Sequence, residues 1–126
     1  NVLIDLFDED SEWREWSDAM LTRAANRGPL VINPIVFAEV SAGFHSLDDV
    51  EAALPESYVR REPLPWEAAF LAGRAFVQYR RLGGTRAAPL PDFYIGAHAA
   101  VARYTLLTRD ALRYRHYFPK LKVIAP

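Results

Sequence analysis

The sequence contains no cysteine, and its single methionine is Met20 rather than the first residue. Without cysteine the chain can form neither a disulfide nor a thiolate metal site, which suits a reducing cytoplasm. No apolar run approaches the roughly 20 residues that a membrane helix needs, and no basic-then-apolar signal segment is visible. We therefore expect a cytoplasmic protein that does not associate with a membrane.

Charged residues are unevenly distributed along the chain, although the net charge is only -1. Residues 1–84 carry 8 basic and 14 acidic side chains, whereas residues 85–126 carry 7 basic and 2 acidic ones. A basic stretch of this kind is typical of a surface that meets an anionic polymer, although chance and solubility also produce it. The overall balance excludes a generic, strongly basic nucleic-acid-binding protein.

The pattern of apolar residues indicates a single α/β domain of 126 residues. Helical patterns alternate with short apolar segments at 30–32, 105–108 and 120–125. The longest helical pattern covers residues 65–84, with Trp66 and Phe70 on the face that is expected to pack. Such alternation predicts a three-layer α/β/α architecture with a central, mainly parallel sheet.

The opening segment, NVLIDLF, sets one acid, Asp5, into an apolar run. Its apolar residues at positions 2, 3, 6 and 7 have the spacing of a helix. We therefore place this segment after a first strand that would precede Asn1, and expect the domain to be N-terminally incomplete. Asp5 is then expected to be solvated or locally bonded rather than a metal ligand.

Three acids are placed to reach the carboxyl ends of the strands, which is where ligands bind in open parallel sheets. Glu39 lies in an otherwise apolar helix, Asp92 opens the helix after the PLP loop, and Asp110 follows the 105–108 strand. Each has a plainer explanation, which is solvent exposure for Glu39 and helix N-capping for Asp92 and Asp110.

A cation would be needed if these acids meet, because two carboxylates about 4 Å apart repel by about 4 kcal/mol at an effective dielectric near 20. The ligands would be oxygens, without cysteine or clustered histidine. Such a ligand set favours Mg²⁺ or Mn²⁺ over Zn²⁺.

Four segments together resemble the PIN-domain family, and specifically the VapC toxins of VapBC toxin–antitoxin pairs. They follow the order and distances of that family over the whole chain. They are the opening NVLIDL, the helix NPIVFAEV with Glu39, the segment PDFYIGAHA with Asp92, and LLTRDALRYRHYFPKLKVIAP with Asp110.

This resemblance implies a Mg²⁺- or Mn²⁺-dependent endoribonuclease that hydrolyses RNA phosphodiester bonds with a metal-activated water. It implies that Glu39, Asp92 and Asp110 bind the metal, with Thr108 as a catalytic hydroxyl at the same strand end. The fourth acid of the family belongs to an Asp-Thr-Asn or Asp-Ser-Asn motif, of which only Asn1 is present. Asn1 is therefore expected to support the site.

The basic residues around Asp110 are expected to contact the RNA backbone, and nearby aromatic residues are candidates for stacking on unpaired bases. The basic candidates are Arg109, Arg113 and Arg115. The aromatic candidates are Tyr114, Tyr117 and Phe118, for which core packing is the alternative, most of all for Phe118.

The resemblance also implies a cognate VapB-type antitoxin partner and a homodimer. Two other functions stay open. One is a catalytically inactive PIN-like module that binds RNA or protein. The other is a receiver-like signalling domain, although the LVIN segment ends in Asn33 rather than a phosphoacceptor Asp, and TLLTRD supplies no lysine.

Overall fold

Helices and short strands alternate along the chain in the computed structural model, which describes all 126 residues. β1 pairs with β2 and β3 pairs with β4, and both pairs are parallel. The predicted α/β class with parallel strands is therefore confirmed. The elements are α1 (Val2–Phe7), α2 (Arg14–Arg27), β1 (Leu30–Ile32), α3 (Pro34–Ser41), α4 (Leu47–Ala53), β2 (Val59–Arg61), α5 (Trp66–Arg81), α6 (Pro91–Ala102), β3 (Leu106–Leu107), α7 (Leu112–Tyr117) and β4 (Val123–Ile124).

The chain forms two compact units, Asn1–Pro63 and Leu64–Pro126. The first unit contains the β1–β2 pair, in which Leu30 is aligned with Val59. One cluster of its buried side chains comes from these strands, from α3, and from α4 with its C-cap residue, because each of these elements carries apolar residues on one side. This cluster consists of Ile32, Val40, Val50, Leu54 and Val59.

Asn33 joins β1 to α3 and sets the point at which the helix begins. Its side-chain oxygen accepts hydrogen bonds from the backbone N–H groups of Ile35 and Val36, each at 3.0 Å. Pro34 occupies the first helical position, where a backbone N–H is not needed. This cap fixes the start of the helix that carries Glu39.

Asp5 is buried within the first unit, with only 2% of its surface exposed. Its Oδ1 accepts a hydrogen bond from Ser11 Oγ at 3.0 Å, and its Oδ2 accepts one from Ser17 Oγ at 2.7 Å. The prediction of a helix over the first residues is confirmed. Of the two alternatives expected for Asp5, local bonding is confirmed and exposure to solvent is wrong. A buried carboxylate requires such donors, and the two serines join α1 to the start of α2.

The second unit is organised by the packing of α5 against α6. α5 turns a row of small side chains, Ala68, Ala72 and Ala75, towards Phe93 and Ala97 of α6. Small side chains allow two helices to approach closely, and they fill this contact without voids.

The prediction that Trp66 and Phe70 lie on the packed face of α5 is wrong. Trp66 is 89% exposed and Phe70 is 69% exposed. The packed face is the alanine row instead, which lies against Phe93 and Ala97 of α6. Trp66 and Phe70 are therefore left in solvent.

α7 packs against α6 at Gly96. A Cβ placed on Gly96 would lie 2.6 Å from the Phe118 ring and 3.1 Å from the Tyr114 ring. Phe118 and Tyr114 are both largely buried, at 9% and 6% exposure. Only a residue without a side chain fits this contact, which holds α7 in place beside the first turn of α6.

Candidate metal centre

Asp92 lies in the first turn of α6, and both of its carboxylate oxygens are hydrogen-bonded. Arg113 Nη1 donates to Oδ2 at 2.9 Å, and the Tyr114 hydroxyl donates to Oδ1 at 3.1 Å. The N-cap residue of α6 is Leu90, and no side chain caps the helix. The helix-capping explanation for Asp92 is therefore wrong, since its carboxylate binds α7 instead.

Packing between α6 and α7 produces this arrangement. Phe93, next to Asp92, is fully buried, and Gly96 one turn later contacts Tyr114. Tyr114 is buried, whereas the side chains of Asp92 and Arg113 are 32% and 44% exposed. The carboxylate is thus held in a defined orientation, remains partly open to solvent and already binds a cation.

Thr108 and Asp110 form a tight turn directly after β3. Thr108 is 3% exposed, and its backbone N–H donates to the Ile124 carbonyl of β4 at 3.1 Å. Its Oγ1 accepts a hydrogen bond from the Asp110 backbone N–H at 3.2 Å. The hydroxyl therefore fixes the backbone of Asp110 at the carboxyl end of the strand.

The Asp110 carboxylate itself is exposed and has neither a hydrogen bond nor an ion pair. α7 has Ala111 as its N-cap residue, without a side-chain cap. The helix-capping explanation is wrong for Asp110 as well. Two free carboxylate oxygens thus stand at the end of β3.

Glu39 and Asn1 belong to the first unit. Glu39 is exposed on α3, as its plainer explanation expects. Asn1 is the N-cap residue of α1, and its backbone carbonyl accepts a hydrogen bond from the Asp5 N–H at 3.0 Å. Their proposed roles in a metal site stay predictions.

The expected nucleic-acid contacts are only partly compatible with the structure. The prediction that Tyr114 stacks on RNA bases is wrong, because its ring is buried and its hydroxyl donates a hydrogen bond to Asp92. Phe118 lies in the core, and the Tyr117 ring meets the edge of Phe93 at a centroid distance of 4.9 Å.

Of the three arginines predicted to contact RNA, Arg113 is engaged by Asp92. Arg109 and Arg115 are exposed on either side of the start of α7. Contacts of these three arginines with the RNA backbone stay predictions.

The residues present fit a divalent cation in the chemistry of their donors. They are carboxylates and a hydroxyl, which are the hard oxygen ligands that Mg²⁺ and Mn²⁺ take, and Asp92 already holds the guanidinium of Arg113. No three His, Asp or Glu side chains are gathered closely enough to hold a metal ion.

The contact of Arg113 and Tyr114 with Asp92 was missed by sequence reasoning. The partners are 21 and 22 residues apart, and they belong to two different helices. A weak signal exists in hindsight, because α7 places a cation and a hydroxyl at consecutive positions soon after Asp110. Nothing in that local pattern identifies Asp92 as their partner.

The PIN domain family matches residues 1–118 of the chain. A solved structure of VapBC2 from Rickettsia felis bound to a DNA fragment from their promoter is similar, with a TM-score of 0.73 and 18% identity, covering 100% of this chain and 94% of that one. The structure of VapBC-1 from nontypeable Haemophilus influenzae has a TM-score of 0.71 and 16% identity, covering 99% and 92%. At these identities the likeness shows the fold.

Comparison with curated proteins gave no match. None of the helices has both the length and the apolar composition that crossing a membrane requires.

Proposed function

The chain belongs to the PIN-domain family, whose members are typically nucleases that use divalent metal ions, and we propose that it is a Mg²⁺- or Mn²⁺-dependent endoribonuclease. One observation carries the proposal. Within the matched segment, Asp92 is a partly exposed carboxylate that is oriented by Tyr114 and already binds a cationic group. A carboxylate prepared in this way is suited to a metal ligand.

We assign the metal to Asp92 and Asp110, and to Glu39 on the family resemblance. A bound divalent ion would supply Lewis-acid stabilisation of the phosphate charge and would lower the pKa of water. Thr108 holds the backbone of Asp110, and its proposed catalytic role is this positioning. Asn1 is proposed to support the site.

Substrate binding is assigned to exposed cations of the second unit. Arg109 and Arg115 are exposed near Asp110, and guanidinium groups bind phosphate oxygens through charge-assisted hydrogen bonds. The excess of basic residues in 85–126 would attract a polyanion. RNA is the proposed substrate.

We propose that the protein is the toxin of a toxin–antitoxin pair, with a VapB-type antitoxin as its partner. The support is the similarity of its fold to chains of two VapBC structures. A cytoplasmic location without membrane association is part of the same proposal.

A homodimer is also proposed, through the exposed face of α5. Trp66 and Phe70 lie on this face, and a Cβ on Gly73 would meet no atom within 4 Å. Apolar faces of this kind are typical of interaction sites.

The direct test is cleavage of total RNA by the purified protein with Mg²⁺. We expect cleavage that stops when EDTA removes the metal and that is lost in Asp110→Asn. Asp110 is the informative choice because its exposed side chain holds no other residue, so the variant should fold normally. Equal cleavage by both proteins would contradict the assignment.

A second candidate is a catalytically inactive PIN-like module that binds RNA or protein. The two candidates differ in metal binding. A Mg²⁺-dependent rise in the unfolding temperature that disappears in Asp92→Asn supports the nuclease, and no rise supports the inactive module. The family match leaves the receiver-like alternative without support.

A further inference from the structure

Arg113 has one ion-pair partner, the Asp92 carboxylate, and this pair occupies an oxygen that the proposed nuclease needs for its metal. The contact is 2.9 Å between Nη1 and Oδ2, which is the length of a charge-assisted hydrogen bond. Arg113 thus already neutralises the carboxylate in the protein without metal.

We propose that Arg113 is an internal counter-cation that competes with the divalent metal for Asp92, so that metal binding breaks the Arg113–Asp92 ion pair. This inference rests on the proposed function, since it assumes that Asp92 is a metal ligand. Arg113 would then be a regulatory element of the site, because its ion pair with Asp92 lowers the affinity for the metal.

The charges of the two cations oppose each other at Asp92. Mg²⁺ binds carboxylate oxygens at about 2.0–2.1 Å and is sensitive to the charge around those oxygens. A guanidinium hydrogen-bonded to the same oxygen at 2.9 Å would hold a positive charge beside the metal and would repel it. Tyr114 instead occupies Oδ1 with a neutral hydroxyl, which does not oppose a cation on Oδ2.

The ion pair is exposed enough to be displaced. The side chains of Arg113 and Asp92 are 44% and 32% exposed, so water and salt screen their attraction. Exposed ion pairs of this kind contribute little to stability. Arg113 can therefore leave Asp92 without disturbing the buried contacts of Tyr114 and Phe118 that hold α7.

α7 supplies a matched control in Arg115. It lies two positions further along the helix, is exposed and makes no ion pair. Replacing either arginine removes one positive charge from the same helix. Only replacement of Arg113 also frees Asp92, so the difference between the two variants isolates the competition.

The test is calorimetric titration of Mn²⁺ into wild-type protein, Arg113→Gln, Arg115→Gln and Asp92→Asn. We expect Arg113→Gln to bind Mn²⁺ about two- to fivefold more tightly than Arg115→Gln, which is the range that an exposed ion pair supplies. Asp92→Asn should lose most of the binding. Equal affinities for the two arginine variants, with wild-type binding intact, would overturn the competition and leave the proposed function standing.

Thermal unfolding tests the same competition between Arg113 and the metal without measuring an affinity for the metal. Arg113→Gln should lower the unfolding midpoint in EDTA, and this difference from the wild type should disappear at saturating Mg²⁺. A difference that persists in Mg²⁺ would mean that the ion pair survives metal binding, and would overturn the inference. If neither the wild type nor Asp92→Asn binds Mn²⁺, the inference fails together with the proposed metal dependence.

Discussion

Gly96 lies against Phe118 so closely that a Cβ on the glycine would be 2.6 Å from the ring. The same contact brings Tyr114 of α7 beside α6, where its hydroxyl reaches Asp92. The position of the Asp92 carboxylate therefore depends on a residue that has no side chain.

Substitution of Gly96 by alanine should destabilise the second unit. Overpacking of this kind costs typically about 1–3 kcal/mol, because Phe118 and its helix must shift. The measurement is the free energy of unfolding in urea. Gly73→Ala is the matched control, since its Cβ would meet nothing, and it should stabilise α5 by about 0.5–1 kcal/mol. Equal effects of the two substitutions would contradict the close contact.

Removal of the Tyr114 hydroxyl should weaken both stability and cleavage. Tyr114→Phe leaves the ring in place but removes the donor to Asp92 Oδ1, at a cost of about 0.5–1.5 kcal/mol. Cleavage should fall because the carboxylate loses its fixed orientation. Tyr117→Phe keeps its ring contact with Phe93 and should change neither quantity. Unfolding in urea and initial cleavage rates provide the two measurements.

Loss of the hydroxyl at Ser17 should destabilise the first unit. Ser17→Ala removes the 2.7 Å hydrogen bond to the buried Asp5 carboxylate, and a hydrogen bond to a charged group contributes about 1.5–3 kcal/mol. The free energy of unfolding measures this, with the exposed Asp18→Asn as the control. Asp5→Asn should retain metal-dependent cleavage in its folded fraction, and abolished metal binding would instead make Asp5 a ligand.

Charge introduced on the exposed face of α5 should break the proposed dimer. Phe70→Glu places a carboxylate where the two copies would meet, so sedimentation velocity should show a monomer. Leu112→Glu is the control, because Leu112 is 81% exposed on α7, outside this face. A wild-type protein that is itself monomeric, or a dimer that persists in Phe70→Glu, would refute this interface.

The cleavage products should carry a 5′-phosphate and a 3′-hydroxyl. This polarity follows when water attacks the phosphorus, the bond to the 3′ oxygen breaks, and a divalent ion stabilises that leaving 3′ oxygen. End-labelling of the fragments with and without phosphatase distinguishes these ends. Recovery of 2′,3′-cyclic phosphates would instead require attack by the RNA 2′-hydroxyl.

Features encoded by neighbouring residues are those that a sequence alone can predict. Asn33 caps α3 and Ser46 caps α4, because a cap and its helix are adjacent in the chain. The α/β class was predictable for the same reason, since it follows from the alternation of short apolar and helical segments. Asp110 likewise follows β3 directly.

Features that depend on packing between distant segments were not predicted. Size and hydrophobicity favoured Trp66 and Phe70 as core residues of α5, but the side of α5 that packs against α6 carries Ala68, Ala72 and Ala75 instead. Tyr114 was expected to be available for bases, and is instead buried against Gly96. The bond from Arg113 to Asp92 joins two helices, which no local pattern indicates.

The exposure of Trp66 also gives the molecule an intrinsic optical probe. Its side chain lies on α5, and the residue is 89% exposed. Trp13 and Trp16 are half-buried and meet edge to face, with their ring centroids 6.2 Å apart. We expect the fluorescence emission maximum of Trp66 to be that of an indole in water. A soluble quencher such as iodide should quench Trp66 more strongly than Trp13 or Trp16. Any molecule that covers α5 should shift this emission to the blue and protect it from the quencher, so occupancy of the face is readable without a label.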